Sequence, residues 1–147
     1  MRYVITESHH EFVTLNKELE YINSYIQLQK NRLTNTVDIT YKVQTDETTV
    51  SQKIAPMLLI SFIENAFKYG VSPENNSEIY ISITGTNNEL LFSVNNKKLN
   101  KPKSQESNGL GLNNATKRLE ILYPGKHQLS ITNTSLHFDV LLKITLT

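Results

Sequence analysis

The chain has 147 residues with 15 Lys+Arg and 14 Asp+Glu, so its formal net charge is +1, which argues against a dedicated nucleic-acid binder. Its length is typical of one domain, and its 38% hydrophobic and 20% charged residues argue against disorder. The absence of cysteine excludes disulfides, thiolate zinc sites and cysteine nucleophiles, and we see no signal peptide and no apolar run of the about 20 residues that span a bilayer.

The first eleven residues show no clear periodicity. His9 and His10 are adjacent, so on a helix their side chains would point about 100° apart. We therefore expect both imidazoles to be solvent-exposed residues near the terminus, neither metal ligands nor phosphate acceptors.

A helix is predicted from Leu15 to Leu33, because apolar side chains recur at alternating steps of four and three residues. Thr14 is the expected N-cap, but Lys17 stands where a capping box needs Glu or Gln. Gln29 fills one position of the apolar stripe. The stripe can pack on the chain's own domain or on a second helix, and the sequence leaves both alternatives open.

From Val37 onward, apolar and polar residues alternate in five segments, which predicts strands. The segments are 37–43, 79–83, 90–94, 129–131 and 138–146. The turn-forming residues 85–88 join the second and third segments into a hairpin. Each strand alternates on one side only, so we expect helices to cover one face of the sheet.

Two further helices are predicted, with a polar loop at 95–108 between the hairpin and the second helix. The first opens at Pro56 and stops before Gly70, and the second covers 113–122. The fold class is therefore α+β, a two-layer sandwich with a mixed, mostly antiparallel sheet, helices on one face and a leading helix. We expect a division into residues 1–34, mainly the leading helix, and residues 35–147.

The predicted helix at 56–69 has a polar face that carries Glu64, Asn65 and Lys68, opposite an apolar face. Glu64 and Lys68 have the spacing of an ordinary ion pair on a helix surface. Asn65 is less easily explained, because asparagine in the middle of a helix competes for backbone hydrogen bonds. Its amide oxygen is a hard, neutral ligand of the kind that Mg²⁺ accepts beside phosphates and water.

Two glycines precede the predicted helix at 113–122, within Asn108-Gly109-Leu110-Gly111-Leu112. Glycines at a helix start let backbone N–H groups approach an anion closely. The segment is no Walker loop, since no Gly-Lys-Ser/Thr follows, and no Rossmann fingerprint, since a third glycine is missing. Alone, it is weak evidence for a phosphate site.

Together, the two motifs resemble the nucleotide-binding domain shared by sensor histidine kinases, DNA gyrase, Hsp90 and MutL, and within it the LytS-type sensor histidine kinases. The resemblance runs from Arg2 almost to the end of the chain. Its densest blocks are Leu15-x-x-Glu18-Leu19-x-x-Ile22-x-x-Tyr25-Ile26-x-Leu28-Gln29-Lys30-x-Arg32, Pro56-Met57-Leu58-Leu59-Ile60, Glu64-Asn65-Ala66-Phe67-Lys68-Tyr69-Gly70, Gly109-Leu110-Gly111-Leu112-Asn113-Asn114 and Arg118-Leu119.

The resemblance implies a Bergerat-type fold and roles for the residues of the first helix. Asn65 matches the asparagine that binds Mg²⁺, and Lys68 and Tyr69 match residues that reach the phosphates and ribose of ATP. Lys68 is also a candidate catalytic residue. Glu64 is another, because it neighbours the metal ligand and could order a metal-bound water.

The resemblance also assigns the glycine segment and the polar loop. Gly109, Leu110, Gly111 and Leu112 match the backbone cradle for the phosphates. Residues 95–108 match a short lid over ATP, which here carries Lys97, Lys98, Lys101 and Lys103. These lysines can equally be solvated loop charges.

One departure concerns the adenine base. The superfamily reads its amino group with an aspartate followed closely by glycine, whereas this chain has Asn96 at the aspartate position and lysine at the glycine. An asparagine oxygen accepts the same hydrogen bond, but it is uncharged and a neighbour must fix its orientation. We therefore expect a reduced nucleotide affinity.

The resemblance implies a catalytic domain that transfers the γ-phosphate of ATP to a histidine located upstream of Arg2, with Mg²⁺ as cofactor. It also implies a response regulator partner, a homodimeric full-length kinase, no nucleic-acid partner, and a cytoplasmic location in an inner-membrane sensor that is anchored by upstream segments. Residues 1–34 would belong to the dimerisation region. One alternative is a degenerate nucleotide-binding module for dimerisation or docking. Another, a gyrase- or MutL-type ATPase acting on DNA, fits the leading helix and short lid poorly.

Overall fold

The computed structural model describes residues 12–32, 37–70, 77–97 and 105–146, and for residues 105–112 only the backbone. Its strands are β1 (Val13–Thr14), β2 (Val37–Thr45), β3 (Lys53–Ile54), β4 (Ser77–Thr86), β5 (Glu89–Lys97), β6 (His127–Asn133) and β7 (His137–Thr145). Its helices are α1 (Leu15–Arg32), α2 (Glu47–Val50), α3 (Ile60–Tyr69) and α4 (Gln105–Leu122).

Five strands form one sheet in the order β2-β4-β5-β7-β6. Strand β2 pairs with β4 in parallel, and the other pairs are antiparallel. On β4, Ile79, Ile81 and Ile83 are buried, while Tyr80 between them is 39% exposed. The helices therefore cover one face of the sheet, and the predicted α+β class is confirmed.

The hairpin β4–β5 turns through Asn87 and Asn88, both with positive φ (54° and 64°), as a two-residue type I′ connection requires. Helix α2, which the sequence did not predict, holds this turn. The N–H of Asn87 donates to Asp46 Oδ2 (3.1 Å), and that of Asn88 donates to Thr49 Oγ1 (2.9 Å). Hydrogen bonds from Thr49 and Asn87 lower the pKa of Asp46. The predicted hairpin and its turn are confirmed.

Helix α1 begins and ends within one residue of the prediction. The N–H of Lys17 donates to Thr14 Oγ1 (3.2 Å), so Thr14 caps the helix as expected. Leu15, Ile22 and Ile26 lie in the same buried core as the sheet and α3. These residues of the apolar stripe therefore pack on the chain's own domain, which is one of the two alternatives that the sequence left open. Leu33, the last residue of the stripe, lies outside the described residues. The division at residue 34 stays a prediction.

The starts of two helices differ from the predictions. Helix α3 begins at Ile60, not at Pro56, because Met57 has a φ of 63° and breaks the helical path. Helix α4 begins at Gln105, not at residue 113, so Gly109 and Gly111 lie inside it. Glycine lowers helix propensity by only about 1 kcal/mol, and the apolar face of the following turns, which packs on the core, offsets that cost.

Candidate functional site

Helix α3 separates its two faces as the helical wheel predicted. The apolar residues of the predicted core face are all buried, both the two that precede α3 and the three within it: Leu58, Leu59, Phe62, Ile63 and Ala66. On the other face, Glu64 and Lys68 are exposed and Asn65 is half-buried. Asn65 therefore presents its amide at the edge of the core, where it can reach a ligand.

Tyr25 of α1 contacts the C-terminal half of α3. Its ring meets Phe67 edge-on, with 5.7 Å between ring centroids and 79° between planes. Burial and the nearby Glu64 carboxylate raise the pKa of Tyr25. The exposed carboxylate of Glu64, the residue before Asn65, is thus close enough to α1 to interact electrostatically with Tyr25.

The C-terminal end of α3 lies against Asn96 on β5. The N–H of Gly70 donates to the carbonyl of Ala66 (2.7 Å) and ends the helix. A Cβ atom at Gly70 would be 3.0 Å from both Cβ and Nδ2 of Asn96 and 2.7 Å from the Ala66 carbonyl oxygen. Only glycine allows this approach, which brings the predicted metal-binding helix next to the predicted adenine-reading residue.

Asn96 is 3% exposed, and its side chain faces the helices. Its Nδ2 donates to the carbonyl of Lys97 (3.2 Å), while its Oδ1 has no hydrogen-bond partner among the described residues. Burial of an unpaired amide oxygen is unfavourable. The Nδ2 bond supplies the orienting neighbour that the sequence could not identify, and it leaves Oδ1 available to a ligand N–H.

Two more buried hydroxyl groups near this point have no partner among the described residues. They belong to Tyr69, the last residue of α3, and Ser77, the first residue of β4. Ser77 lies two residues before Ile79, which pairs with Asn96, so the two polar side chains share the core face of the sheet. The Nζ of Lys68 lies 5.5 Å from the centroid of the Tyr69 ring, within cation–π range. Ser77 was not singled out in the sequence.

The glycine segment lies at the start of α4, which packs against α3. Because the helix begins at Gln105, its first four backbone N–H groups belong to residues 105–108, and Gly109 and Gly111 follow in the next turn. The predicted loop is correspondingly shorter: β5 runs to Lys97, and residues 98–104 lie outside the described residues together with Lys98, Lys101 and Lys103. The assignments of Gly109, Leu110, Gly111 and Leu112 to a phosphate cradle remain predictions.

The described part of the chain holds no group of three or more His, Cys, Asp or Glu side chains that could enclose a metal ion. Asn65 offers one neutral amide oxygen, a donor that fits Mg²⁺ when phosphate oxygens and water complete the coordination. The partnerless amide oxygen of Asn96 fits a different part of a nucleotide, an N–H group of the base.

In the described residues, no helix combines the length and apolarity that membrane crossing requires.

His9 and His10 lie outside the described residues, while His127 and His137 are on the strands β6 and β7.

Comparison with known proteins gives a consistent result. A family model described as histidine kinase matches residues 1–37. Sensor histidine kinase BtsS of Escherichia coli is 28% identical over 123 residues, which cover 82% of this chain and 21% of that protein. Sensor protein LytS of Oceanobacillus iheyensis is 28% identical over 137 residues, covering 83% and 23%. The chain thus spans about a fifth of the length of these relatives.

Solved histidine kinases share the fold. The nucleotide-free catalytic domain of ThkA superposes with a TM-score of 0.62 at 18% identity, covering 93% of this chain and 98% of that one. ThkA in complex with response regulator protein TrrA superposes with a TM-score of 0.56 at 16% identity, covering 93% and 42%. The resemblance drawn from the sequence is thus confirmed: the chain is similar to the C-terminal region of LytS-type sensor histidine kinases and has the fold of a histidine kinase catalytic domain.

Proposed function

We propose that this chain is the ATP-binding catalytic domain of a two-component sensor histidine kinase. The observation that carries the proposal is the buried, unpaired Oδ1 of Asn96 beside Gly70 at the end of α3. An acceptor in this state suits the exocyclic N–H of an adenine ring. Asn65 lies on the helix whose C-terminal end packs against Asn96, so the residues proposed for base and phosphate recognition lie on neighbouring elements.

Phosphoryl transfer requires little covalent work from the protein and depends on positioning and charge neutralisation. Asn65 would bind Mg²⁺, which supplies charge neutralisation at the phosphates when bound. Lys68 and Tyr69 would contact phosphate and ribose oxygens. The backbone N–H groups at the N-terminal end of α4, the helix that carries the glycine segment, would contact the phosphates. Glu64 would hold a water molecule beside the cation.

The acceptor imidazole would come from a part of the kinase that this sequence does not include. We further propose that residues 1–34 belong to the dimerisation region and residues 35–147 to the catalytic domain. The full-length kinase would be a homodimeric membrane sensor, and its catalytic domain would lie in the cytoplasm. The histidine kinase family model, which matches residues 1–37, supports a boundary between two regions near residue 34. The ThkA complex with TrrA supports a response regulator as the protein partner.

Isothermal titration with Mg²⁺ and a non-hydrolysable ATP analogue tests the proposal. The wild-type chain should bind, and Asn65→Ala should abolish the Mg²⁺-dependent part of binding while the far-UV spectrum stays unchanged, because the side chain lies at the edge of the core. Asn31→Ala, an exposed position near the end of α1, is the matched control. Unchanged affinity in Asn65→Ala would exclude the metal role, and no binding by the wild type would favour a degenerate docking module.

A further inference from the structure

The segment that leads into α3, residues 55–59, is fixed by side chains from elsewhere in the chain; we call it the joint. Its centre, Met57, has a φ of 63°, a left-handed conformation that non-glycine residues adopt only when their surroundings impose it. Helix α3 has no side-chain cap of its own, because its N-cap residue is Leu59. The joint therefore needs partners that its own sequence does not supply.

Glu18 of α1 is the first of these partners. The N–H of Met57 donates to its Oε1 (3.0 Å), and the N–H of Leu59 donates to its Oε2 (3.3 Å). Glu18 is 3% exposed, which is rare for a carboxylate without specific partners. Burial raises the pKa of Glu18, and the two backbone donors and the Arg118 guanidinium oppose that shift. The whole carboxylate is thus used to hold two backbone groups of the joint.

Helix α4 and the residue that follows it hold the joint from the other side. Arg118 donates from Nη2 to the carbonyl of Pro56 (2.9 Å). The hydroxyl of Tyr123 accepts the N–H of Ala55 (3.0 Å). Arg118 lies on the helix that carries the glycine segment. One short piece of backbone is therefore bonded both to the leading helix and to the second predicted phosphate-binding element.

The first turn of α3 is built on the end of the joint. The N–H groups of Phe62 and Ile63 both donate to the carbonyl of Leu59, at 3.1 and 3.4 Å. The same Leu59 gives its own N–H to Glu18. Displacing Glu18 therefore displaces the residue from which α3 begins, and with it Asn65, six residues further along the chain.

We propose that Glu18 is a positioning residue for the nucleotide site: it couples the placement of α1 to the placement of Asn65 through the joint. The inference rests on the proposed nucleotide-binding function, and it adds that the position of α1 controls nucleotide affinity. Movement of the leading helix changes nucleotide affinity, and by reciprocity nucleotide binding stabilises the Glu18 contacts.

Two measurements on the 147-residue chain test this coupling. In the first, titration with Mg²⁺ and a non-hydrolysable ATP analogue compares Glu18→Gln with Glu20→Gln, the same change at an exposed position of the same helix. Glutamine keeps the size of the side chain but places an amide donor against one of the two N–H groups. We expect affinity to fall at least fivefold in Glu18→Gln and to stay within twofold in Glu20→Gln, at a temperature where both are folded by circular dichroism.

In the second measurement, amide hydrogen exchange is followed by NMR in the wild type with and without the analogue. Bound nucleotide should slow exchange at Met57 and Leu59 at least threefold more than at Val140, a buried core residue on β7. The comparison is needed because ligand binding stabilises the whole fold and slows exchange at Val140 as well. Wild-type affinity in Glu18→Gln would overturn the proposal. If that variant does not fold, the exchange measurement decides alone, and slowing at both amides that is no greater than at Val140 overturns it. A wild type that does not bind at all would instead refute the proposed function.

Discussion

Replacing Asn96 by aspartate restores the charged acceptor that the nucleotide-binding superfamily uses, and the structure allows its two consequences to be separated. In the ligand-free protein, the variant loses the hydrogen bond from Nδ2 to the carbonyl of Lys97 and places a second oxygen near that carbonyl. The position is 3% exposed, so water does not replace the lost partner. Leaving buried polar groups unsatisfied costs about 1–3 kcal/mol.

The bound state should respond in the opposite direction. A hydrogen bond from adenine to a carboxylate is charge-assisted and about 1 kcal/mol stronger than one to a neutral amide. Because of the unsatisfied groups in the ligand-free protein, Asn96→Asp should lower the Tm of the free chain by roughly 2–12 °C, given about 2–4 °C per kcal/mol for a chain of this size. It should also tighten ADP binding about fivefold.

Differential scanning fluorimetry without ligand and isothermal titration with ADP measure these two effects on the same sample. Asn23→Asp adds the same charge at an exposed position of α1 and should change neither quantity. ADP binding to Asn96→Asp that is equal to or weaker than wild-type binding would mean that Asn96 does not face the base. An unchanged Tm would show that its amide is not buried as described.

The remaining predictions concern the glycines and the acceptor. Gly70→Ala should weaken nucleotide binding measured by titration, since its Cβ would lie 3.0 Å from Asn96 atoms. Gly125→Ala should cost about 1–2 kcal/mol of stability, because its φ is 71°, and should leave nucleotide affinity unchanged. Equal nucleotide affinities in the two variants would contradict the close approach of Gly70 to Asn96. The chain alone should take up no label from γ-labelled ATP. A longer kinase that includes the expected histidine upstream of Arg2 should form an acid-labile, alkali-stable phosphate. Label mapped to His9 or His10 would refute an acceptor outside this sequence.

Periodicity in the sequence was sufficient to predict most of the sheet and the inward face of α3. The alternation of apolar residues around Ile81 depends on burial of one side of a strand, which every sheet arrangement with helices on one face requires. The two-residue turn at Asn87 and Asn88 follows from residues that tolerate positive φ. Strand order, including the parallel pairing of β2, could not be predicted from these local patterns.

The misplaced helix starts have a common physical cause. Pro56 is compatible with a first helical turn, but the backbone after it donates to Glu18, a residue far away in the sequence, and takes a different path. A hydrogen bond donated by a backbone N–H does not depend on the side chains of that segment, so no residue near Pro56 indicates it. Glu18 itself appeared in the sequence only as part of the resemblance to the kinases. At α4, two glycines indicated a boundary, yet the helix continues through them.

The parallel pairing of β2 with β4 has a consequence for how the chain folds. The hairpins β4–β5 and β6–β7 close over short turns, whereas Val37 meets Ser77 only after the whole segment containing α3 has been placed on the sheet. Pairings between residues distant in sequence are slow to form because the intervening loop must close first. The antiparallel pairing of β5 with β7 joins residues that are equally distant or more distant in sequence. We therefore expect the two hairpins to form early and the pairings β2–β4 and β5–β7 to form late. Nucleotide-binding competence should then appear in the slowest refolding phase, after both hairpins have formed.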